Sequence, residues 1–160
     1  MKKQVPRLSR NPFRSDKSPK SAGKIPTRRR MPARVADPGS ANRLPVRFCF
    51  SLCDHDGPWP LHTEESGKLR EVLEKVSEWE CLSWGEVEAS SLYESYGDLT
   101  DCPNRQAVNR LVSEYESLDH IGRFRLAGRE RLYGVREGGD FFILWWDPRH
   151  EVWPSPKKHT

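Results

Sequence analysis

Gly138 and Gly139 stand side by side between two apolar runs, Arg131-Leu132-Tyr133-Gly134-Val135-Arg136-Glu137 and Asp140-Phe141-Phe142-Ile143-Leu144-Trp145-Trp146, and this pair constrains the fold more than any other feature. Two adjacent glycines between β-branched and aromatic runs mark a two-residue hairpin turn, because such turns need backbone angles that side chains resist. Counting outward pairs Arg136 with Phe141, Val135 with Phe142, Gly134 with Ile143, Tyr133 with Leu144 and Leu132 with Trp145. A preceding strand, Arg123 to Ala127, returns through Gly128. With a two-residue turn there, Phe124, Leu126, Tyr133, Val135, Phe142, Leu144 and Trp146 share the face that packs on helices. Arg123, Arg125, Leu132, Arg136, Phe141, Ile143 and Trp145 then share the opposite face. A three-residue loop at Gly128 would invert Arg123 and Arg125, since a one-residue slip turns a strand over.

Upstream, Val46, Phe48, Phe50 and Leu52 alternate with other residues at the strand period. Gly57, Pro58 and Pro60 punctuate a loop. Leu69, Val72, Leu73, Val76 and Trp79 predict an amphipathic helix over 64–80, capped by Thr63; Val108, Leu111, Val112, Tyr115 and Leu118 predict a second over 103–118. The stretch 82–100 has no clear periodicity. The expected architecture is α+β: a strand, two helices, then a C-terminal antiparallel meander, with the helices on one face of the sheet.

Composition divides the chain near Leu44. Residues 1–44 hold thirteen Lys or Arg against two acids and one aromatic, Phe13, too little apolar surface to offset the entropy of ordering. Residues 1–43 therefore read as a disordered basic arm, and 44–160 as a single domain. Within the domain, residues 45–120 hold sixteen acids and six bases, whereas 121–160 hold five and eight. Arg28, Arg29 and Arg30 would attract phosphate by releasing condensed counterions. The competing reading is an extension without a role, since a chain beginning at Met31 still contains the domain. No run of about 20 apolar residues is present, which points away from a membrane span and towards the cytoplasm. Cys49, Cys53, Cys81 and Cys102 are scattered and read as reduced thiols. Cys49, Cys53, His55 and His62 could surround a metal, but one pair falls on a strand and the other in a loop, so no metal site is expected.

Asp147-Pro148-Arg149-His150 has type I turn chemistry. The expected pairing brings Arg125, Glu130, Asp147 and His150 to one end of the sheet. Such a group could cleave RNA through its 2′-hydroxyl without metal or other cofactor: His150 for either proton role, Asp147 or Glu130 in support, and Arg125 on the phosphorane charge. Asp147 would favour the imidazolium form of His150. The plainer reading makes the Asp147–His150 pair a turn lock. Arg123 and Arg136 are candidates for the RNA backbone, and Trp145 for stacking on an unstacked base.

The order of elements, with Arg123-Phe124-Arg125-Leu126 through Phe141-Phe142-Ile143-Leu144-Trp145-Trp146, resembles the RelE/ParE-like toxin superfamily of bacteria over about two thirds of the domain. The closing segment from Leu144 to Val152 also resembles the ending of small bacterial proteins without assigned activity. The toxin resemblance implies endoribonuclease action on ribosome-bound mRNA by basic and acid/base groups on the sheet, blocked by an antitoxin partner. This chain departs from it in its long basic arm and acidic helical half. A non-catalytic module binding nucleic acid or protein is the alternative.

Overall fold

The computed structural model describes residues 41–62, 65 and 67–156, together with the backbone of 29–30. The described elements run β1 (Arg29–Arg30), β2 (Arg47–Cys49), α1 (Lys68–Trp79), α2 (Trp84–Ala89), β3 (Tyr93–Tyr96), a 3-10 turn (Leu99–Asp101), α3 (Arg105–Glu114), β4 (Tyr115–Glu116), β5 (Ile121–Arg125), β6 (Arg131–Glu137) and β7 (Asp140–Asp147). Five strands form the main sheet in the order β2-β7-β6-β5-β3. All its neighbours are antiparallel except β2, which lies parallel to β7 at the edge. The α+β class expected from the sequence is the observed one. Among the described residues no helix is long and apolar enough to cross a membrane.

The hairpin turn falls at Gly138-Gly139, with Glu137 opposite Asp140, and the expected register holds from Arg136 to Gly134. It then slips. Tyr133 pairs with Trp145, Leu132 with Trp146 and Arg131 with Asp147, leaving Leu144 as the extra residue of a β-bulge. At the other hairpin Arg125 pairs with Arg131, and Leu126 N–H donates to the Glu130 carbonyl at 3.0 Å. The loop between them, Ala127 to Arg129, thus has three residues, with Gly128 at φ 55°. These two irregularities redistribute the expected faces. Phe124, Leu132, Phe141, Ile143 and Trp146 occupy one side, with Leu126 in the same cluster. Tyr133, Val135, Phe142, Leu144 and Trp145 occupy the other, and Arg123 and Arg125 go with them.

Both faces are covered, which corrects the expectation of helices on one side. On the first, α1 contributes Val72, Val76 and Trp79 and α2 contributes Trp84 and Val87. Phe124 lies at the middle of this cluster, stacked on Trp79 at 4.9 Å and edge-on to Phe141 at the same distance. Each buried aromatic body of this size contributes about 1.5–3 kcal/mol by leaving water. On the second face α3 sets Ala107 and Leu111 against Tyr133, Val135, Leu144 and Trp145. A sheet clothed on both sides explains why β7 has no polar alternation from Phe141 to Trp146.

Helix limits differ from the periodicity because capping decides them. α1 begins after Gly67, whose φ is 93°, and Thr63 lies outside the described residues. Leu69 and Leu73 are exposed, so its buried stripe is narrower than expected. α3 begins at the Asn104 cap, whose side chain accepts the Ala107 N–H at 3.2 Å, and Val112 points outward at 63% exposure. The strand expected over 46–52 ends at Cys49, where a turn leaves Phe50 48% exposed. The aperiodic stretch 82–100 holds α2 and β3. Ser83 and Glu86 close a reciprocal capping box, Ser83 N–H donating to Glu86 Oε2 at 2.8 Å, and the Ser-x-x-Glu pattern is visible in the sequence. Ala41, three residues before the expected domain boundary at Leu44, is already buried.

Candidate functional site

Of the four residues expected to share a catalytic centre, Arg125, Asp147 and His150 stay on one face at the end of the sheet, where Asp147 and His150 are tied into the closing turn, and Glu130 turns away to the other face. Asp147 is fully buried, and its Oδ1 and Oδ2 accept the N–H groups of Arg149 at 3.1 Å and Val152 at 2.8 Å. It locks the turn. His150 sits at φ 61° in that turn, its Nε2 against Nη1 of Arg123. Burial and the charges of Arg123 and Arg131 hold its imidazole below the usual histidine range, despite the opposing effect of Asp147. The neutral ring is favoured, contrary to the imidazolium expected from Asp147 alone. Arg125 is exposed, with Arg131 opposite it on β6. Glu130 turns to α1 and bonds Lys68 Nζ at 3.0 Å.

The proposed nucleic-acid contacts are equally displaced. Arg123 is only 8% exposed; Nη2 meets Glu94 at 2.5 Å, Nη1 donates to the Trp153 carbonyl at 3.1 Å, and the guanidinium lies 5.4 Å from the Tyr96 ring centre. Arg136 stacks 4.0 Å over Trp84 and is held by Glu88 at 2.5 Å and Asn42 at 2.8 Å. Trp145 is fully buried and donates Nε1–H to Asp54 Oδ2 at 3.1 Å, so its ring offers no face to a base. Arg28 lies outside the described residues. Arg29 and Arg30 run parallel to Tyr115 and Glu116 as β1 beside β4, a pairing that composition did not suggest. Among the described residues no group of three or more His, Cys, Asp or Glu is arranged to hold a metal.

The turn-lock role of Asp147 has a measurable consequence. Asp147→Ala leaves the buried Val152 amide without its acceptor, at about 1–3 kcal/mol, whereas the Arg149 amide, in an exposed residue, can turn to water. Urea unfolding is expected to show a loss of about 1–3 kcal/mol on that basis. A stability change below about 0.5 kcal/mol would show that the turn holds without it.

What the fold does assemble is a cavity of about 440 Å³ at the end of the sheet. Pro58, Trp59 and Pro60 line it from the loop after β2, Lys68 from the start of α1, Glu130 from the β5–β6 hairpin, and Trp146, Pro148 and Arg149 from the end of β7; His62 and Glu65 complete it. The volume falls in the usual range for small-ligand sites. Trp146 is 7% exposed and its indole Nε1–H, fully buried, has no hydrogen-bond partner. A buried donor left unpaired costs about 1–3 kcal/mol. Lys68, bonded to Glu130 and Glu71, has its pKa pushed up to about 12 and remains an ammonium. Periodicity and motif spacing do not reveal this site because its residues come from four separate elements. The one local signal is the Trp-Trp-Asp-Pro-Arg run ending β7, which here splits Trp145 into the core and Trp146 into the cavity wall.

The chain matches no family model, no curated protein and no solved structure.

Proposed function

We propose that this domain is a cytoplasmic single-stranded RNA-binding module that seats an unstacked base in the Trp146 cavity. The observation that carries the reading is the composition of that cavity: indole and proline walls for a base, with Lys68 and Arg149 at hand for the adjoining phosphates. The thirteen Lys and Arg of residues 1–44 add sequence-independent attraction. Fluorescence anisotropy of a short single-stranded RNA with the full chain tests it. Arg149→Ala, at an exposed position, is expected to weaken binding about 3- to 10-fold and to flatten the salt slope by about 0.7. Unchanged affinity and slope in both Arg149→Ala and Lys68→Ala would overturn the reading.

A toxin-type endoribonuclease with an antitoxin partner is the second reading, favoured by the Glu130–Lys68 pair in the cavity wall. There a carboxylate that can accept a 2′-hydroxyl proton adjoins a cation that can meet phosphorane charge. His150 and Arg125 do not line the cavity, so this chemistry would run without them. Cleavage of ribosome-bound mRNA, or growth arrest on induced expression, that disappears in Glu130→Gln would favour it over binding alone.

A further inference from the structure

We infer that the cavity is selective for guanine, through the Glu130 carboxylate on the Watson–Crick edge of the base. The inference rests on the RNA-binding reading and specifies which base the site takes. Glu130 is the carboxylate that the β5–β6 hairpin contributes to the wall, and Lys68 Nζ holds it at 3.0 Å from α1. Its side chain is only 16% exposed, so it has little freedom to turn to solvent. Guanine presents two adjacent donors, N1–H and N2–H, at the spacing of the two oxygens of a carboxylate. Bidentate, charge-assisted hydrogen bonds of this kind are the strong and directional ones.

The other bases fit this wall poorly. Adenine and cytosine each offer one amine beside a ring nitrogen whose lone pair faces the second carboxylate oxygen. Uracil offers one N–H between two carbonyls, which a carboxylate repels. Guanine also carries a carbonyl next to its donors, an acceptor that suits the Lys68 ammonium beside the Glu130 carboxylate. The fixed Glu130 carboxylate and the Lys68 ammonium beside it in the cavity wall therefore ask for the same donor-donor-acceptor edge.

The experiment compares four short uridine-rich RNAs that differ at one central position: guanine, inosine, adenine or uracil. Each is titrated into the full chain at fixed salt. Inosine keeps N1–H and the carbonyl but lacks the N2 amine, so the change is made in the ligand and cannot unfold the protein. The guanine RNA is expected to bind about 10-fold tighter than the inosine RNA, and by more over adenine and uracil, as bidentate pairs discriminate. Glu130→Gln should bring the guanine RNA to the level of the adenine RNA while leaving the uracil RNA within about twofold, since only the bidentate acceptor is lost. If all four RNAs bind within about twofold of one another yet Arg149→Ala still weakens them, guanine selectivity is wrong and the RNA-binding reading stands. A preference for adenine or uracil overturns the inference in the same way. If none of the four binds, the inference and the RNA-binding reading both fall.

Discussion

Asp54→Ala is expected to destabilise the domain by about 3–5 kcal/mol, because it removes the buried partner of an ion pair. Asp54 is fully buried in the loop after β2. Its Oδ2 accepts Arg110 Nε at 2.8 Å and Trp145 Nε1 at 3.1 Å, and its Oδ1 accepts Arg110 Nη2 at 2.7 Å and the Asp56 N–H at 3.3 Å. One carboxylate thus joins α3, β7 and its own loop. Truncation would leave the Trp145 donor buried without an acceptor and the guanidinium of Arg110 without its bidentate partner. Urea unfolding of the variant measures the loss, and a value under about 1 kcal/mol would mean that water replaces the carboxylate at no great cost.

The same group sets an acid limit. Burial pushes the Asp54 carboxyl up, but the hydrogen bonds of Arg110 and Trp145, the Arg110 charge and the Asp56 amide outweigh it and hold the group below the usual carboxylate range. Its stabilisation is therefore complete above the unfolded value of about 3.9 and is lost as pH falls through the lower folded value. Stability measured below about pH 4 should fall more steeply in the native protein than in Asp54→Asn, which has nothing to titrate there. Parallel curves would contradict the assigned hydrogen bonds.

Gly134→Ala is expected to cost about 3 kcal/mol or more, at the severe end of overpacking. A Cβ at Gly134 would lie 2.4 Å from the Phe142 carbonyl oxygen and 2.5 Å from the Phe141 ring. The first obstacle is backbone, and it cannot swing away. Gly134 adjoins the bulge of the central hairpin, so relief would mean changing the register of β6 against β7. Gly128→Ala supplies the contrast. Nothing lies within 4 Å of a Cβ there and only the positive φ of 55° opposes it, at about 1–2 kcal/mol. Thermal unfolding of the two variants ranks them, and a Gly134→Ala protein no less stable than Gly128→Ala would refute the close packing at the bulge.

Local chemistry accounts for the features that are legible in the amino-acid sequence. The Gly138-Gly139 turn, the register of its first three strand pairs, the helical stripe of Val72, Val76 and Trp79, and the loop beginning near Asp54 all depend on residues adjacent in the chain. So does the composition break near Leu44, three residues from the buried Ala41. The Ser83 capping box belongs with these local signals, although the helix it opens is too short for its period to read as one.

The tertiary structure alone decided the face on which each residue of the meander lies. Side-chain direction in a strand has a period of two, so the single extra residue at Leu144 and the third loop residue at Gly128 each invert everything beyond them. Neither has a compositional mark. That parity sent Arg123 into a pocket of Glu94, Tyr96 and the Trp153 carbonyl, buried Trp145 and left Trp146 on the cavity wall. Pairings across long separations were hidden for a related reason: Asp54 and Arg110 are 56 residues apart, and Lys68 and Glu130 are 62 apart. A charged residue in a loop or on a helix face looks solvated until the packing of other elements removes its water.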